Sequence, residues 1–228
     1  MTNADSAGQT PGTLELNEIY ARRFARSRQR RGEVWIALNR FFFQKWINPK
    51  DTILDLGAGY CEFINTVQAG VKLALDLNPA TSICAAQGVR VISQDVAQPW
   101  DIPSASVNVV FTSNFFEHLG SKEQLSHCLR EAKRVLVPGG RLLALGPNIR
   151  FAFGEYWDFF DHYLPLSDRS LVEALEVNGF KLQVVIPRFL PYTMEGRMPS
   201  HPFLVRLYLA MPIAWRVLGK QFLVIAVK

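Results

Sequence analysis

The sequence predicts an α/β fold built on a mostly parallel β-sheet, and two patterns support this prediction. After Asn48, short apolar segments alternate with segments whose apolar residues recur every three or four positions, which is typical of βαβ units. The first apolar segment, Thr52–Leu56, runs directly into the turn Gly57-Ala58-Gly59. The chain has 228 residues, of which 49% are hydrophobic and 20% charged, and this is enough for one domain with a full core.

The region before the sheet is predicted to be helical. Apolar residues recur at helical spacing from Leu14 to Trp46, and Gly32 is predicted to separate two helices. Residues 1–13 are small and polar, and we expect them to form a disordered tail. The predicted organisation is therefore a tail over 1–13, a helical cap over 14–47 and a sheet domain over 48–228.

The strands and helices of the sheet domain follow from the same patterns. Strands are predicted over 52–56, 72–77, 90–93, 107–112 and 141–145, and helices over 61–68, 80–87 and 123–135. The segment Pro138-Gly139-Gly140 is predicted to end the last of these helices.

The final third of the chain has a different composition. We expect a helix over 168–177 capped by Ser167, a strand over 180–186, a proline-rich loop over 187–202 and a closing strand over 222–227. Between the last two lies an apolar helix over 203–218, interrupted at Met211-Pro212. This run is too short and too broken by charge and proline to span a bilayer.

The cysteines and the N-terminus bear on the cellular compartment. Cys61, Cys84 and Cys128 are too few and too scattered for a disulfide framework or a structural zinc site. The N-terminal residues contain no apolar segment typical of a signal peptide. We therefore expect a reduced, cytoplasmic protein.

Three successive strand ends carry groups suited to an adenosine ligand. Asp55, Gly57, Ala58 and Gly59 end the first strand in a turn that lets a ligand approach the backbone. Asp76 and Leu77 end the second strand, where a carboxylate accepts hydrogen bonds from ribose hydroxyls. Asp95 and Val96 follow the third strand, where they suit the exocyclic amine of adenine.

One position separates the two ligands that fit an adenosine site. A dinucleotide fingerprint requires a third glycine three positions after Gly59, but the chain has Glu62 there, whose charge would lie near a pyrophosphate. S-adenosylmethionine (SAM) has no phosphate and carries a positive sulfonium and amino group. Asp55 and Glu62 therefore favour SAM over NAD, and the chain also has no Tyr-x-x-x-Lys hydride relay in a suitable place.

Together these segments resemble a class I SAM-dependent methyltransferase of the broad small-molecule type. The resemblance rests on the glycine turn, the acidic and adenine loops, the Glu117-His118-Leu119 segment after the fourth strand and Pro138-Gly139-Gly140. It covers 48–148 well and extends to Lys228. It implies a Rossmann-like three-layer sandwich with a seven-stranded sheet whose last strand is antiparallel, and it places Ser113 and Asn114 near the methionine end of SAM.

The acceptor side offers few candidate catalytic groups. His162, in Asp161-His162-Tyr163, is the first candidate for a base or an acceptor-positioning group, and His118 is the second. A structural role for each histidine stays an alternative. Some relatives bind a metal through Glu-x-x-Glu-His after the fourth strand, but here Asn114 replaces the first carboxylate. We therefore expect no metal, although Glu117 and His118 could still approach one.

The acceptor itself is not identified by these patterns. An O-methylated small molecule or glycoconjugate is the leading hypothesis, with acceptor specificity in the insertion 188–220. The helix over 203–218 is either a buried cover helix or a peripheral membrane contact that reaches a lipid-linked acceptor. The alternative is an RNA-modifying or nucleic-acid-binding protein that uses an arginine cluster, whose members are Arg22, Arg23, Arg26, Arg28, Arg30 and Arg31.

Overall fold

The computed structural model describes residues 28–192 and 201–228. The strands are β1 (Thr52–Leu56), β2 (Val71–Leu75), β3 (Val89–Ile92), β4 (Val107–Ser113), β5 (Leu136–Pro147), β6 (Lys181–Leu190) and β7 (Gln221–Val227). They form one seven-stranded sheet in the order β3-β2-β1-β4-β5-β7-β6.

Helices cover both faces of the sheet. They are α1 (Arg28–Phe41), α2 (Glu62–Thr66), α3 (Pro79–Cys84), α4 (Lys122–Val135), α5 (Phe153–Tyr156), α6 (Asp168–Val177), α7 (Pro202–Ala210) and α8 (Pro212–Leu218). Short 3₁₀ helices lie at Phe43–Trp46 and Phe116–His118. Two apolar layers pack between these helices and the sheet, so the predicted three-layer sandwich is confirmed.

The direction of the strands places the site. Strand β1 pairs in parallel with β2 on one side and with β4 on the other, whereas β7 lies antiparallel between β5 and β6. The carboxyl ends of β1, β2 and β4 therefore meet at one edge, where a doubly wound sheet binds its ligand. The expected antiparallel pairing of 222–227 with 180–186 is confirmed.

The N-terminal helix packs directly on the sheet. Trp35 of α1 makes edge-to-face contacts with Phe63 of α2 and Phe111 of β4, at centroid distances of 5.9 Å for each pair. Phe63 and Phe111 are themselves stacked, with an interplanar angle of 14°. This aromatic cluster fixes α1 and α2 beside the carboxyl end of β1, where α2 begins just after the glycine turn.

The prediction that Gly32 separates two helices is wrong. Helix α1 runs without a break from Arg28 to Phe41, although glycine in a helix interior costs about 1 kcal/mol relative to alanine. The helix continues because Val34, Trp35 and Leu38 are buried against the sheet. Packing of this apolar face outweighs the local preference of one residue.

The predicted break at Pro138-Gly139-Gly140 also needs correction. Helix α4 ends at Val135 and β5 begins at the next residue, so the segment lies inside the strand. It forms a bulge, because the register between β4 and β5 shifts between Val107 and Val109. Gly139 has a φ of 76°, and a Cβ on Gly140 would lie 3.0 Å from the carbonyl oxygen of Asn108, so both glycines are needed there.

In the final third, one boundary differs from the prediction and two features are confirmed. The region predicted as a loop from Pro187 begins as strand, since β6 continues to Leu190. The interruption predicted at Met211-Pro212 is confirmed, and it divides the region into α7 and α8. The capped helix Asp168–Val177 is confirmed with its bounds, and the Ser167 side chain accepts a hydrogen bond from the Ser170 amide.

Some predictions lie outside the described residues. They are the tail over 1–13, the helical segment before residue 28 with Arg22, Arg23 and Arg26, and the part of the proline-rich loop over 193–200. The division into a cap over 14–47 and a domain over 48–228 stays a prediction. Among the helices of the described ranges, none has both the length and the hydropathy to cross a membrane.

We predict that Phe111→Ala strongly destabilises the protein. Phe111 is fully buried and contacts Trp35, Phe43 and Phe63, so truncation leaves a cavity that costs about 3–5 kcal/mol of unfolding free energy. Urea denaturation measures the loss. Val177→Ala is the control, because Val177 is 80% exposed and its truncation should change stability by less than about 0.5 kcal/mol. Equal losses in the two variants would contradict this assignment of the core.

Candidate functional site

The glycine turn after β1 has open space on one side. Gly57 and Gly59 both have positive φ, at 72° and 50°, which glycine adopts without strain. A Cβ on Gly57 would overlap the ring of Phe115, whereas a Cβ on Gly59 would meet no atom within 4 Å. Ala58 between them is buried. The turn is therefore packed against Phe115 at Gly57 and accessible to a ligand at Gly59.

Asp76 ties this turn to the second strand. Its Oδ2 accepts a hydrogen bond of 2.7 Å from the Gly59 amide, and its Oδ1 accepts one of 2.8 Å from the Asn78 amide. Burial raises the pKa of the Asp76 carboxyl, and these backbone hydrogen bonds oppose that rise. A carboxylate has about four acceptor positions, so Asp76 can still accept a hydrogen bond from a ligand hydroxyl.

Asp55 brings a second carboxylate to the same edge. It is the last but one residue of β1 and is almost fully buried. Desolvation, followed by the charges of Asp76 and Glu62, raises the pKa of Asp55 well above its ordinary value. A buried group in this state favours a nearby cation, and the sulfonium and amino group of SAM have that charge.

Leu77, Asp95 and Val96 line the next part of the edge. Leu77 follows Asp76 and is 58% exposed, while Val96 is half-buried against the core. Asp95 is exposed, and its Oδ1 accepts a hydrogen bond from the Ala97 amide in a local turn. An exposed leucine and a half-buried valine provide apolar surface for a planar base.

Ser113 and Asn114 end β4 next to the glycine turn. Asn114 has a φ of 50°, which asparagine tolerates better than most residues. Its amide donates a hydrogen bond to the Leu145 carbonyl, and its side chain donates one to Ser113 Oγ. Since β1 and β4 are neighbours, both side chains lie at the same edge as Asp55.

His118 and His162 lie together although 43 residues separate them. Their ring centroids are 5.0 Å apart. The Glu117 carbonyl accepts hydrogen bonds from the amides of Tyr163 and Leu164, and this holds the second segment against the 3₁₀ helix of the first. His118 Nδ1 lies 2.8 Å from the Asp161 carbonyl oxygen, and His162 Nδ1 lies 3.1 Å from the Tyr156 carbonyl oxygen.

Carboxylates surround the two histidines. The Asp161 carboxylate lies 3.4 Å from His118 Nδ1, so the carboxylate that the sequence places next to His162 contacts His118. Glu117 is buried, and desolvation raises its pKa to about 7, while His118 opposes the rise. The charge of His118 also opposes the rise in the pKa of Asp76.

Aromatic residues form the rest of this region. The His162 ring stacks with Phe159 at 4.9 Å and contacts Tyr156 at 4.7 Å. Of the aromatic segment 151–163, Tyr156 is core, whereas four side chains are exposed, and we call these the aromatic rim: Phe153, Trp157, Phe160 and Tyr163. The segment is therefore partly core and partly exposed surface.

Sequence patterns missed two contributions to the site. Arg31 of α1 forms an ion pair of 3.0 Å with Glu62, so the charge used to distinguish SAM from a dinucleotide is partly neutralised. Glu117 lies beside the two histidines, although the sequence indicates only that it follows the fourth strand. The adjacency of Glu117 and His118 in the sequence indicates two members of this cluster. The third member, His162, is distant in the sequence.

Comparisons with known proteins bear on this geometry. Residues 54–144 match the model of a family described as a methyltransferase domain. That match includes the glycine turn, Asp76, Asp95 and the fourth strand with its glutamate and histidine. The chain carries a class I SAM-dependent methyltransferase domain. The methyltransferase is thus an enzyme that uses SAM as its cofactor, and the NAD-dependent alternative is set aside.

Solved structures share the fold of this methyltransferase. A SAM-dependent methyltransferase from Archaeoglobus fulgidus has a TM-score of 0.64 and 19% identity, over 87% of this chain and 94% of that one. A possible histamine N-methyltransferase from Thermotoga maritima has a TM-score of 0.65 and 15% identity, over 94% and 98%.

A third similar structure carries ligands. The geranyl diphosphate C-methyltransferase of Streptomyces coelicolor, in complex with Mg²⁺, geranyl diphosphate and S-adenosyl-L-homocysteine, has a TM-score of 0.61 and 15% identity, over 84% and 77%. A comparison with curated proteins finds no match. At these identities the solved structures show a common fold and leave the acceptor open.

The raised pKa of Asp55 predicts a pH-dependent cost to folding. An acid whose pKa is higher in the folded state binds more protons there, so stability falls as pH rises from the ordinary carboxyl pKa of about 4 towards the folded value. Asp55→Asn removes this cost. The stability of the variant relative to the native protein should therefore be more favourable at pH 8 than at pH 5, as measured by denaturant unfolding without SAM.

The control for this experiment is Asp101→Asn, because Asp101 is exposed. Its relative stability should be the same at both pH values. If the Asp55→Asn difference also stays constant with pH, the folded protein does not penalise an ionised Asp55.

Proposed function

We propose that this enzyme transfers the methyl group of SAM to a hydroxyl oxygen of a small-molecule or glycoconjugate acceptor, including a lipid-linked one. The observation that carries this proposal is the pair His118 and His162, whose rings lie 5.0 Å apart just beyond the carboxyl end of β4. Methylation of an alcohol requires loss of a proton, and imidazole groups are suited to positioning and deprotonating a hydroxyl.

SAM lies across the strand ends in this proposal. The ribose hydroxyls donate to Asp76, and the adenine ring lies between Leu77 and Val96 with its amine near Asp95. The methionine end extends past Gly57, Ala58 and Gly59 towards Asp55, Ser113 and Asn114. The support comes from the open space at Gly59 and the acceptor positions left on Asp76.

The acceptor approaches from the side of the histidines. Both Nδ1 atoms face backbone carbonyl oxygens, and a carbonyl accepts but does not donate. Each Nδ1 therefore carries the proton, and the lone pair of each ring lies on Nε2. This tautomer suits His162 as the base or positioning group and His118 as its neighbour.

An exposed apolar surface favours a lipid-linked acceptor. The helices α7 and α8, which we call the apolar hairpin, bury Val205, Tyr208 and Leu209 but expose a set of large apolar side chains: Phe203, Leu204, Leu207, Met211, Ile213, Val217 and Leu218. Arg206 and Arg216 are exposed among them. Exposed apolar side chains mixed with arginine are typical of an interfacial helix that contacts anionic membranes.

The apolar hairpin is joined to the aromatic rim. Lys220 forms an ion pair with Glu155 of α5. Arg188 donates hydrogen bonds to the Val217 and Gly219 carbonyls. The guanidinium of Arg188 also lies 4.7 Å from the ring centre of Phe151. A membrane contact at the hairpin would therefore present a lipid-linked acceptor near the segment that carries His162.

The first prediction for this site concerns Asp76→Ala, which should weaken SAM binding by about tenfold or more. A hydrogen bond to a buried charge contributes about 1.5–3 kcal/mol, and the substitution also releases the Gly59 amide. Calorimetry with SAM measures the affinity, and Asp101→Ala is the exposed control. Unchanged SAM affinity in Asp76→Ala would remove Asp76 from the site.

The acceptor class is tested by transfer of a labelled methyl group. The screen compares free sugars, phenols, RNA and lipid-linked glycans in anionic vesicles. We expect transfer to hydroxyls, and we expect Ile213→Glu to raise the KM for the vesicle-bound acceptor by about tenfold with no change for a water-soluble analogue. Val177→Glu is the matched control, since Val177 is exposed on α6, away from the hairpin. Transfer to RNA alone would favour the nucleic-acid alternative.

A further inference from the structure

One cluster of polar side chains is not fully used by a simple acid–base mechanism. Glu117, His118 and His162 each place one potential metal-ligand atom so that the three atoms lie within 4.8 Å of one another. Two imidazoles and one carboxylate form a common donor set for divalent transition metals.

We infer that Glu117, His118 and His162 bind one divalent ion of a first-row transition metal, such as Mn²⁺, Fe²⁺ or Zn²⁺, on the acceptor side of the SAM site. This revises the expectation of no metal, which rested on Asn114 in place of a carboxylate. His162, from a segment distant in sequence, supplies the ligand that Asn114 does not.

The orientation of both rings supports this site. Metal-binding histidines usually donate the other ring N–H to a carbonyl or carboxylate, which fixes the tautomer and the ring plane. His118 Nδ1 lies near the carbonyl oxygen and the carboxylate of Asp161, and His162 Nδ1 lies near the Tyr156 carbonyl. With Nδ1 as the donor in both rings, Nε2 is the nitrogen that would bind the ion.

The burial of Glu117 is a second, independent observation. Its side chain is only 4% exposed, and within residues 28–192 and 201–228 no lysine or arginine forms an ion pair with it. Burying a carboxylate without a partner is costly. A divalent ion between Glu117 and the two histidines would supply the missing positive charge.

Buried hydroxyls lie around the same carboxylate. The hydroxyl groups of Tyr156 and Tyr192 are buried and have no hydrogen-bond partner among the described residues. The Tyr156 ring lies 4.7 Å from the His162 ring, and the Tyr192 ring lies 5.6 Å from Phe159, which stacks on His162. These two hydroxyls would gain hydrogen-bond partners if the region also held bound water or an acceptor on the ion.

The donor set decides the class of ion. Imidazole nitrogen suits Zn²⁺ and Fe²⁺, and a carboxylate also suits Mn²⁺, whereas Mg²⁺ prefers oxygen ligands. Ligand bonds to such ions are about 2.0–2.2 Å long, so the three atoms must approach one another by small side-chain rotations when an ion binds. Three protein ligands leave coordination positions for water or an acceptor oxygen.

The role of the ion, unlike its binding, rests on the proposed O-methylation. With the ion bound, His162 would act as a positioning group and not as the base. The acceptor hydroxyl would bind to the ion through its oxygen, which would lower the pKa of that hydroxyl, and its proton would pass to water. The oxygen electron pair then forms the new O–C bond with the methyl carbon. The C–S bond of SAM breaks at the same time, and its electron pair stays on the sulfur of S-adenosylhomocysteine.

Metal binding is tested on the full, tag-free chain after treatment with a chelator. Titration with Co²⁺ is followed by calorimetry and by the visible absorption of the bound ion. We expect one equivalent to bind, and we expect His162→Ala and the isosteric Glu117→Gln each to weaken binding at least tenfold. His127→Ala is the matched control, because His127 lies on α4 away from the cluster, and its affinity should equal that of the native protein.

The outcomes separate this inference from the proposed function. Failure to bind Co²⁺, or equal affinity in the native protein and both ligand variants, overturns the metal site. Circular dichroism and SAM affinity, both expected to be unchanged in Glu117→Gln, show that a loss of Co²⁺ binding is local. Full methyl transfer to hydroxyls by the metal-free enzyme overturns the role of the ion but supports O-methylation. Co²⁺ binding without methyl transfer to any hydroxyl supports the metal site but overturns the proposed function.

Discussion

Strand β1 pairs in parallel with β2 and with β4, and the position of every group in the site depends on this register. The pairing aligns Leu56 with Leu75 on one side and with Thr112 on the other. The residues that follow these positions, the glycine turn, Asp76 and Ser113, therefore leave the sheet side by side. The Gly59 amide then donates to the Asp76 carboxylate across a gap of 2.7 Å, which links two strand ends into one binding surface.

The same edge concentrates negative charge in a dry environment. Asp55 and Asp76 both have raised pKa values because burial disfavours their charged forms. Two buried carboxylates destabilise an empty site, and a cationic cofactor relieves that cost. The fold can hold them because the aromatic cluster of Trp35, Phe63 and Phe111 packs the neighbouring layer tightly. Stability lost at the site is thus offset in the core beside it.

The acceptor side is organised by a backbone contact between distant segments. Hydrogen bonds from the amides of Tyr163 and Leu164 to the Glu117 carbonyl bring two histidines and a buried glutamate together. This contact also fixes the position of the segment that carries Asp161, Tyr156 and the aromatic rim. Lys220, which follows the apolar hairpin, forms an ion pair with Glu155 of α5, so the segment that carries His162 is linked to the exposed apolar surface.

The sequence by itself determined the α/β pattern, the order of the strands along the chain, the capped helix at Asp168–Val177 and the cofactor side of the enzyme. These are local properties, because strand ends, turns and caps depend on residues a few positions apart. Only the tertiary structure decided that α1 continues through Gly32, that Pro138-Gly139-Gly140 forms a bulge inside β5, that Arg31 neutralises Glu62, and that Glu117 and His118 meet His162. Each of these depends on contacts between residues far apart in the chain, where packing and pairing outweigh the local preference that a pattern records.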